Sequence, residues 1–260
     1  MFIESGILIV GILAGVLSGL FGIGGGIVMV PTLIAFFGMG MLNANATSLA
    51  AMLLPVGLLG VINYYKAGYI KIKDSLWIAG GLLIGSYFGA ELAIAVNVSL
   101  LSKLYACFLL YIAISYLNLP EFFSPKNETI EIIKPVNHEI NSVWLFIALG
   151  LFAGLIAGMF GKGGGIVIVP ILIKFFNYEQ KAATATSLAA LQLPVGLPSI
   201  IVYAHEGYFN WLFAVIMAVG IVFGVFFGSN LAIKLPAKIF KRVYAVFLLG
   251  VAIFMVYKYL

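Results

Sequence analysis

The sequence predicts an all-α integral membrane protein built from two inverted-topology repeats of about five helical segments each. Composition gives the first reason. Of 260 residues, 63% are hydrophobic and only 9% are charged, whereas a soluble domain carries about 25% charged residues to cover its surface. Apolar runs that are long and nearly uncharged give the second, because they cover most of the chain and leave lipid as the solvent for its exterior. The third reason is an internal duplication. Residues from Gly11 to Ile114 align without a gap onto Gly150 to Ile253 at an offset of 139, and about 48 of roughly 104 pairs are identical.

The elements follow in order. In the first half the apolar stretches run over 6–21, 26–42, 44–65, 75–96 and 101–118, and in the second over 143–160, 165–177, 182–204, 211–233 and 239–259. Residues 1–118 and 143–260 are therefore the two transmembrane repeats. The first stretch is not read as a cleaved leader: its start lacks basic residues, and its counterpart at Val143 to Phe160 lies mid-chain. Residues 119–142 contain Pro120, Pro125 and Pro135 among charged residues and form a water-exposed linker.

Lysine placement sets the orientation. If segments one and two together return the chain to the side where it began, 11 of the 14 basic residues fall on or near one side. A single crossing by that pair erases the bias. The first arrangement puts the linker in the cytoplasm, both termini outside, and the halves in inverted relation. Segment two of the second half, Ile166 to Asn177, has only about 12 residues, roughly 18 Å of helix against a bilayer core of about 30 Å. Two such short helices joined by glycines form a re-entrant hairpin, tolerated where it is buried in protein or lines a water-filled cavity. Two full crossings satisfy the same charge count.

Candidate functional residues cluster at matching positions of the repeat. Gly24-Gly25-Gly26 and Gly163-Gly164-Gly165 each open a short apolar helix, where free N–H groups and the positive end of the helix dipole meet a backbone without side chains. They suit a small anion, or else allow close helix packing. Lys162 sits in the second turn opposite Ile23, either as the positive charge of an anion pocket or solvated at the outer surface. The hydroxyl pairs Thr47-Ser48 and Thr186-Ser187 lie near the start of segment three as anion donors or as helix N-caps. Pro55 and Pro194 are expected to kink segment three. Gln192, opposite Leu53, lies near mid-membrane depth, lining a path or pairing helices. Glu91, opposite Asn230, is a candidate for proton coupling or a carboxylate that snorkels to the interface.

Other chemistry finds little support. The single cysteine, Cys107, excludes an internal disulfide and reads as a packed membrane residue. His138 and His205 are too isolated for a metal site. No βαβ context accompanies the glycines, so a dinucleotide site is not indicated. No nucleophile–histidine set or paired acidic motif is visible. The chain therefore reads as neither an enzyme nor a cofactor protein, and the net charge of +5 reflects orientation rather than nucleic-acid binding.

In its doubled GlyXaaGlyGlyGly turn, each followed by Pro31 or Pro170 and then an AlaThrSer segment, the chain resembles the sulfite exporter TauE/SafE family of anion permeases. That resemblance covers nearly the whole chain apart from the linker. It implies transport of sulfite, sulfonates or related organosulfur anions across the cytoplasmic membrane, in either direction. The repeated cysteines of a sulfur-relay thiosulfate carrier are missing. The expectation is a secondary transporter working by alternating access, with a small anionic substrate and membrane lipid as its partners. A passive anion channel and a non-transporting sensor or scaffold are the alternatives.

Overall fold

A computed structural model of the protein describes residues 2–22, 24–53, 57–117, 142–161, 164–208 and 210–234, and further on 246, 249, 250, 253, 254 and 257. The described residues are helical and contain no strand. The helices are α1 (Phe2–Phe21), α2 (Gly26–Phe36), α3 (Met41–Ala51), α4 (Leu58–Lys66), α5 (Ile72–Ala95) and α6 (Val98–Leu117), then α7 (Val143–Phe160), α8 (Gly165–Phe176), α9 (Gln180–Ala190), α10 (Leu197–His205) and α11 (Trp211–Lys234). The linker and most of the last apolar stretch lie outside the described residues. Among the described residues four helices are long and apolar enough to cross a membrane: Ile3–Phe21, Ile72–Ala95, Val143–Phe160 and Trp211–Lys234.

Those four helices pack as two glycine-faced pairs. A Cβ added at Gly11, Gly15 or Gly19 of α1 would run into the backbone of Met217, Ile221 or Val225 of α11. One added at Gly220, Gly224 or Gly228 of α11 would strike the backbone of Leu8, Ile12 or Val16. The repeat-related positions behave identically. Gly150, Gly154 and Gly158 of α7 rest against Ile78, Leu82 and Ser86 of α5, and Gly81, Gly85 and Gly89 against Ile147, Leu151 and Leu155. Without hydrophobic drive between helices in lipid, close backbone approach through small residues supplies the packing energy. Each half thus lends its first helix to the long fourth-segment helix of the other half. Within each half a buried tyrosine ties the first helix to its own fourth helix: Tyr64 donates to the Gly19 carbonyl at 2.9 Å and Tyr203 to the Gly158 carbonyl at 2.8 Å.

The contacts also give direction. Residue numbers rise together along α1 and α11, and along α5 and α7, so each pair is parallel. Tyr178, just before α9, donates to Asp74 in the first turn of α5, with the Lys71 ammonium 4.8 Å over the Tyr178 ring. Lys181 donates to the Ile233 carbonyl near the end of α11 at 3.1 Å and lies 5.7 Å over the Tyr69 ring. The start of α5 and the end of α11 therefore share one end of the bundle, and these repeat-related helices run in opposite directions.

Segment three differs from the expectation of a kinked helix. It is two helices in each half: α3 stops at Ala51 before α4 begins at Leu58, and α9 stops at Ala190 before α10 begins at Leu197. Proline alone removes one donor and crowds the preceding turn. Here Pro194-Val195-Gly196, and Pro55-Val56-Gly57 in the first half, add a helix-weakening glycine two residues on, and the combination ends the helix rather than bending it. Pro55 itself lies outside the described residues, and Pro194 is exposed between α9 and α10. α8 has the 12 residues expected, and α2, with 11, stops at Phe36 short of the apolar stretch 26–42, making them roughly 16–18 Å each.

Candidate functional site

The interrupted helices converge on a cavity of about 30 Å³ between the two halves, room for roughly two waters at 10–15 Å³ each. Its lining repeats across the duplication. Leu49 and Leu188, Met52 and Leu191, Gly57 and Gly196, Leu82 and Ile221, and Ser18 and Ala157 all border it as corresponding pairs. Gly24, Gly25, Ser86, Gln192 and Val195 complete the described lining.

No acidic, basic or histidine side chain is among these lining residues, so its electrostatics come from helix ends and neutral dipoles. Gly25, Gly57 and Gly196 are the N-cap residues of α2, α4 and α10, and each such end carries up to about half a positive elementary charge. Among the described residues the N–H groups of Gly24 and Gly25 have no acceptor. Met52 and Leu191, the C-caps of α3 and α9, face the same space. Opposed half-helix ends at an unwound point are the arrangement by which membrane carriers hold anionic groups at N-termini and coupling cations at carbonyl ends.

Three polar side chains break the symmetry of the lining. Ser18 faces Ala157, Ser86 corresponds to Val225, and Gln192 corresponds to Leu53. Ser86 is already engaged, donating to the Val195 carbonyl at 2.7 Å while its own carbonyl accepts from Ser199. Ser18 is only 3% exposed, and its hydroxyl has no partner among the described residues. Gln192 donates through Nε2 to the Leu188 carbonyl at 2.9 Å and leaves Oε1 without a partner. Gly57 makes room for that amide: a Cβ there would collide with it, standing 3.0 Å from the Gln192 Cδ.

The residues singled out from sequence divide into groups. Gly24, Gly25 and Gln192 line the cavity. Gly26 and Gly165 are the buried first residues of α2 and α8, and Gly164 caps α8 in the left-handed region with φ 72°. A Cβ on Gly25 would press on Ala14, its Cβ 2.8 Å away and its carbonyl oxygen 3.0 Å away, so this glycine serves close packing and cavity access together. Lys162 and Gly163 lie outside the described residues.

The serines of the two hydroxyl pairs bond across the halves, whereas Thr47 Oγ1 has no partner among the described residues. Thr47, Ser48, Thr186 and Ser187 sit well inside α3 and α9, whose N-caps are Gly40 and Glu179. Ser48 donates to the Gly161 carbonyl and Ser187 to the Gly22 carbonyl, both at 2.8 Å. They therefore hold the glycine turn of the opposite half rather than cap their own helices. Gly22 and Gly161 are left-handed, with φ 65° and 66°, and a side chain on either would strike Thr184 or Asn45. Asn45 donates to the Met159 carbonyl at 2.9 Å. Asn45 Oδ1, Thr47 Oγ1 and Thr184 Oγ1 are buried without partners but do not border the cavity. Thr186 accepts from the Lys71 backbone at 3.5 Å, and its carbonyl accepts from Ser75. Glu91 is exposed on α5, away from the cavity.

Sequence reasoning missed Ser18. Its signal was available in the duplication: a hydroxyl in an otherwise apolar run, opposite an alanine. The same comparison had singled out Gln192.

Broken half-helices meeting at a shared cavity between duplicated membrane units fit a multi-pass membrane transporter. Comparison with known proteins specifies it. The family model described as "Sulfite exporter TauE/SafE" matches residues 7–255, and the chain belongs to that family. It is 32% identical over 247 residues to the probable membrane transporter protein MJ0441 of Methanocaldococcus jannaschii, covering 90% of this chain and 86% of the relative. It is 26% identical over 266 residues to the probable membrane transporter protein YunE of Bacillus subtilis, covering 97% of both. No solved structure matches the chain.

Proposed function

We propose that the protein is a secondary transporter for a small sulfur-containing anion, such as sulfite or a compact sulfonate, and that it works by alternating access between inverted repeats. The observation that carries this reading is the cavity at the helix breaks, where N-cap glycines of three helices meet Ser18 and Gln192 with no charged side chain among the described lining residues. The opposed directions of α5 and α11, with their exchanged partners α7 and α1, support two units able to rock about the shared site. The sulfur-containing substrate rests on family membership.

In this reading residues 1–118 and 143–260 are the moving units, and residues 119–142 are a cytoplasmic linker. The protein lies in the cytoplasmic membrane with both termini outside. The polar end containing Asp74, Tyr178, Lys71 and Lys181 then faces the cytoplasm, in keeping with the lysine bias. Lys162, beside the second glycine turn, adds positive potential to the pocket.

The test is uptake into proteoliposomes of labelled sulfite, taurine, sulfoacetate and thiosulfate, with and without a pH gradient. Saturable, protein-dependent uptake of at least one of these is expected. Uptake of none of them under either condition overturns the substrate reading.

A further inference from the structure

We infer that Ser18 and Gln192 form a specificity pair, and that the cavity selects a compact oxyanion carrying its own hydrogen-bond donor beside the anionic group. The inference rests on the proposed anion transport and narrows its substrate. Three observations converge on it.

First, the polarity of the Gln192 amide is fixed by chemistry. Its neighbour is the Leu188 carbonyl, which only accepts, so the nitrogen must be the end that points there, at 2.9 Å. The end left over is Oε1, an acceptor with no partner among the described residues. An anion's oxygen is also an acceptor and cannot satisfy it. A ligand N–H or O–H can.

Second, Ser18 supplies the complementary group. Ser18 is only 3% exposed and borders the cavity. Its hydroxyl rotates freely to donate to an oxyanion, alongside the unpaired N–H groups of Gly24 and Gly25 at the start of α2. One side of the cavity thus offers donors and the other an acceptor.

Third, the repeat shows that neither group is demanded by the fold. Ala157 replaces Ser18 at the corresponding lining position, and Leu53 replaces Gln192. Gly57 leaves the space the Gln192 amide occupies, whereas at its counterpart Gly196 a Cβ would meet the Leu49 side chain at an ordinary 3.5 Å. Polar groups that the architecture does not need, both on residues lining one cavity, mark ligand recognition. A site that pairs with a ligand donor discriminates against an isostere lacking it, because the buried acceptor is then left unpaired.

The experiment compares sulfamate with methanesulfonate, two monoanions of nearly equal shape that differ by an amino group in place of a methyl. Binding to the purified full-length protein in detergent is followed by calorimetry, with the melting temperature of each variant recorded. The parent is expected to bind sulfamate about tenfold or more tightly than methanesulfonate. Gln192→Leu is expected to bring the two affinities together. Ser18→Ala is expected to weaken both by a similar factor and keep their ratio. Gln192→Met serves if the leucine variant does not fold. Equal binding of the two anions by the parent overturns this inference and leaves anion transport standing. A preference that survives Gln192→Leu also overturns it. Failure of both anions to bind the parent overturns it together with the sulfur-anion reading on which it rests.

Discussion

Two adjacent glycines of α5 should respond in opposite ways to the same substitution. At Gly80 a Cβ has nothing within 4 Å, so Gly80→Ala gains helix propensity and costs no packing. That change is expected to be neutral or to stabilise by about 0.5–1 kcal/mol. At Gly81 a Cβ would press on the Ile147 carbonyl oxygen and stand 2.7 Å from the Leu151 backbone nitrogen. Both neighbours are backbone atoms of α7, which cannot rotate aside as a side chain does. Bringing the Leu151 nitrogen alone to ordinary contact at 3.4 Å takes a retreat of about 0.7 Å, and the closer Ile147 oxygen demands more. A gap of 0.5–1 Å forfeits roughly a quarter to a half of each dispersion well along the seam. Overpacking of this kind costs about 1–3 kcal/mol. Since the propensity gain is common to both variants, the whole of that cost should appear as their difference. Thermal unfolding in detergent, followed by tryptophan fluorescence, measures it. The Gly81→Ala protein should melt several degrees below Gly80→Ala, and Gly220→Ala, its repeat counterpart facing Leu8 and Ile12, should behave the same way. If Gly80→Ala and Gly81→Ala melt together, α5 and α7 do not touch through this face and the exchanged pairing of the halves fails.

Further expectations concern single groups. Lys162→Ile should weaken anion affinity about ten- to a hundredfold, the effect of losing one charge-assisted hydrogen bond, with Ile23 at the matching position showing that the turn accepts the side chain; unchanged affinity by calorimetry would place Lys162 outside the pocket. Ser187→Ala should cost about 1–3 kcal/mol by stranding the buried Gly22 carbonyl, read as a lower melting temperature, and an unchanged melt would count against that contact. Cysteines introduced at Lys126 and at Leu260 should label from opposite faces of the membrane; labelling from one face contradicts the proposed topology. Tyr178 should titrate well above a free tyrosine, first because burial penalises its anion and then because its proton is shared with Asp74. A raised folded-state pKa stabilises the protein fully below the unfolded value of about 10 and loses that contribution as pH rises above it. Comparing the parent with Tyr178→Phe by ultraviolet titration should therefore show no Tyr178 ionisation at the pH where exposed tyrosines titrate.

What the sequence revealed and what it concealed differ for physical reasons. The shortness of α8 was legible because Gly163-Gly164-Gly165 and Asn177 bracket it, and a disturbance in segment three because Pro55 and Pro194 fall inside it. The break was nevertheless underestimated as a kink, since the combined effect exceeds that of proline alone. The pairing of α1 with α11 was not legible. Gly11, Gly15 and Gly19 announce a close-packing face, but a glycine face does not name its partner, and the choice is made by the tertiary arrangement. Ser48 and Ser187 misled for a related reason. Their place near the start of an apolar stretch suggested caps or ligand donors, while the carbonyls they satisfy belong to turns more than a hundred residues away in sequence. The cavity's polar groups were half legible, because Gln192 against Leu53 shows itself in the alignment of the halves and Ser18 against Ala157 does so more quietly.

Counterflow tests the central claim, that the two halves carry an anion alternately to each side, most directly. Proteoliposomes containing the protein are preloaded with unlabelled sulfite and diluted into a trace of labelled sulfite, with the potential and pH gradient collapsed. A carrier that exposes one site to each side in turn must draw label inward transiently above its equilibrium level, and the overshoot should vanish in empty liposomes. Monotonic entry of label to equilibrium, at a rate indifferent to the preloaded anion, would contradict alternating access and identify the central cavity as part of a passive path.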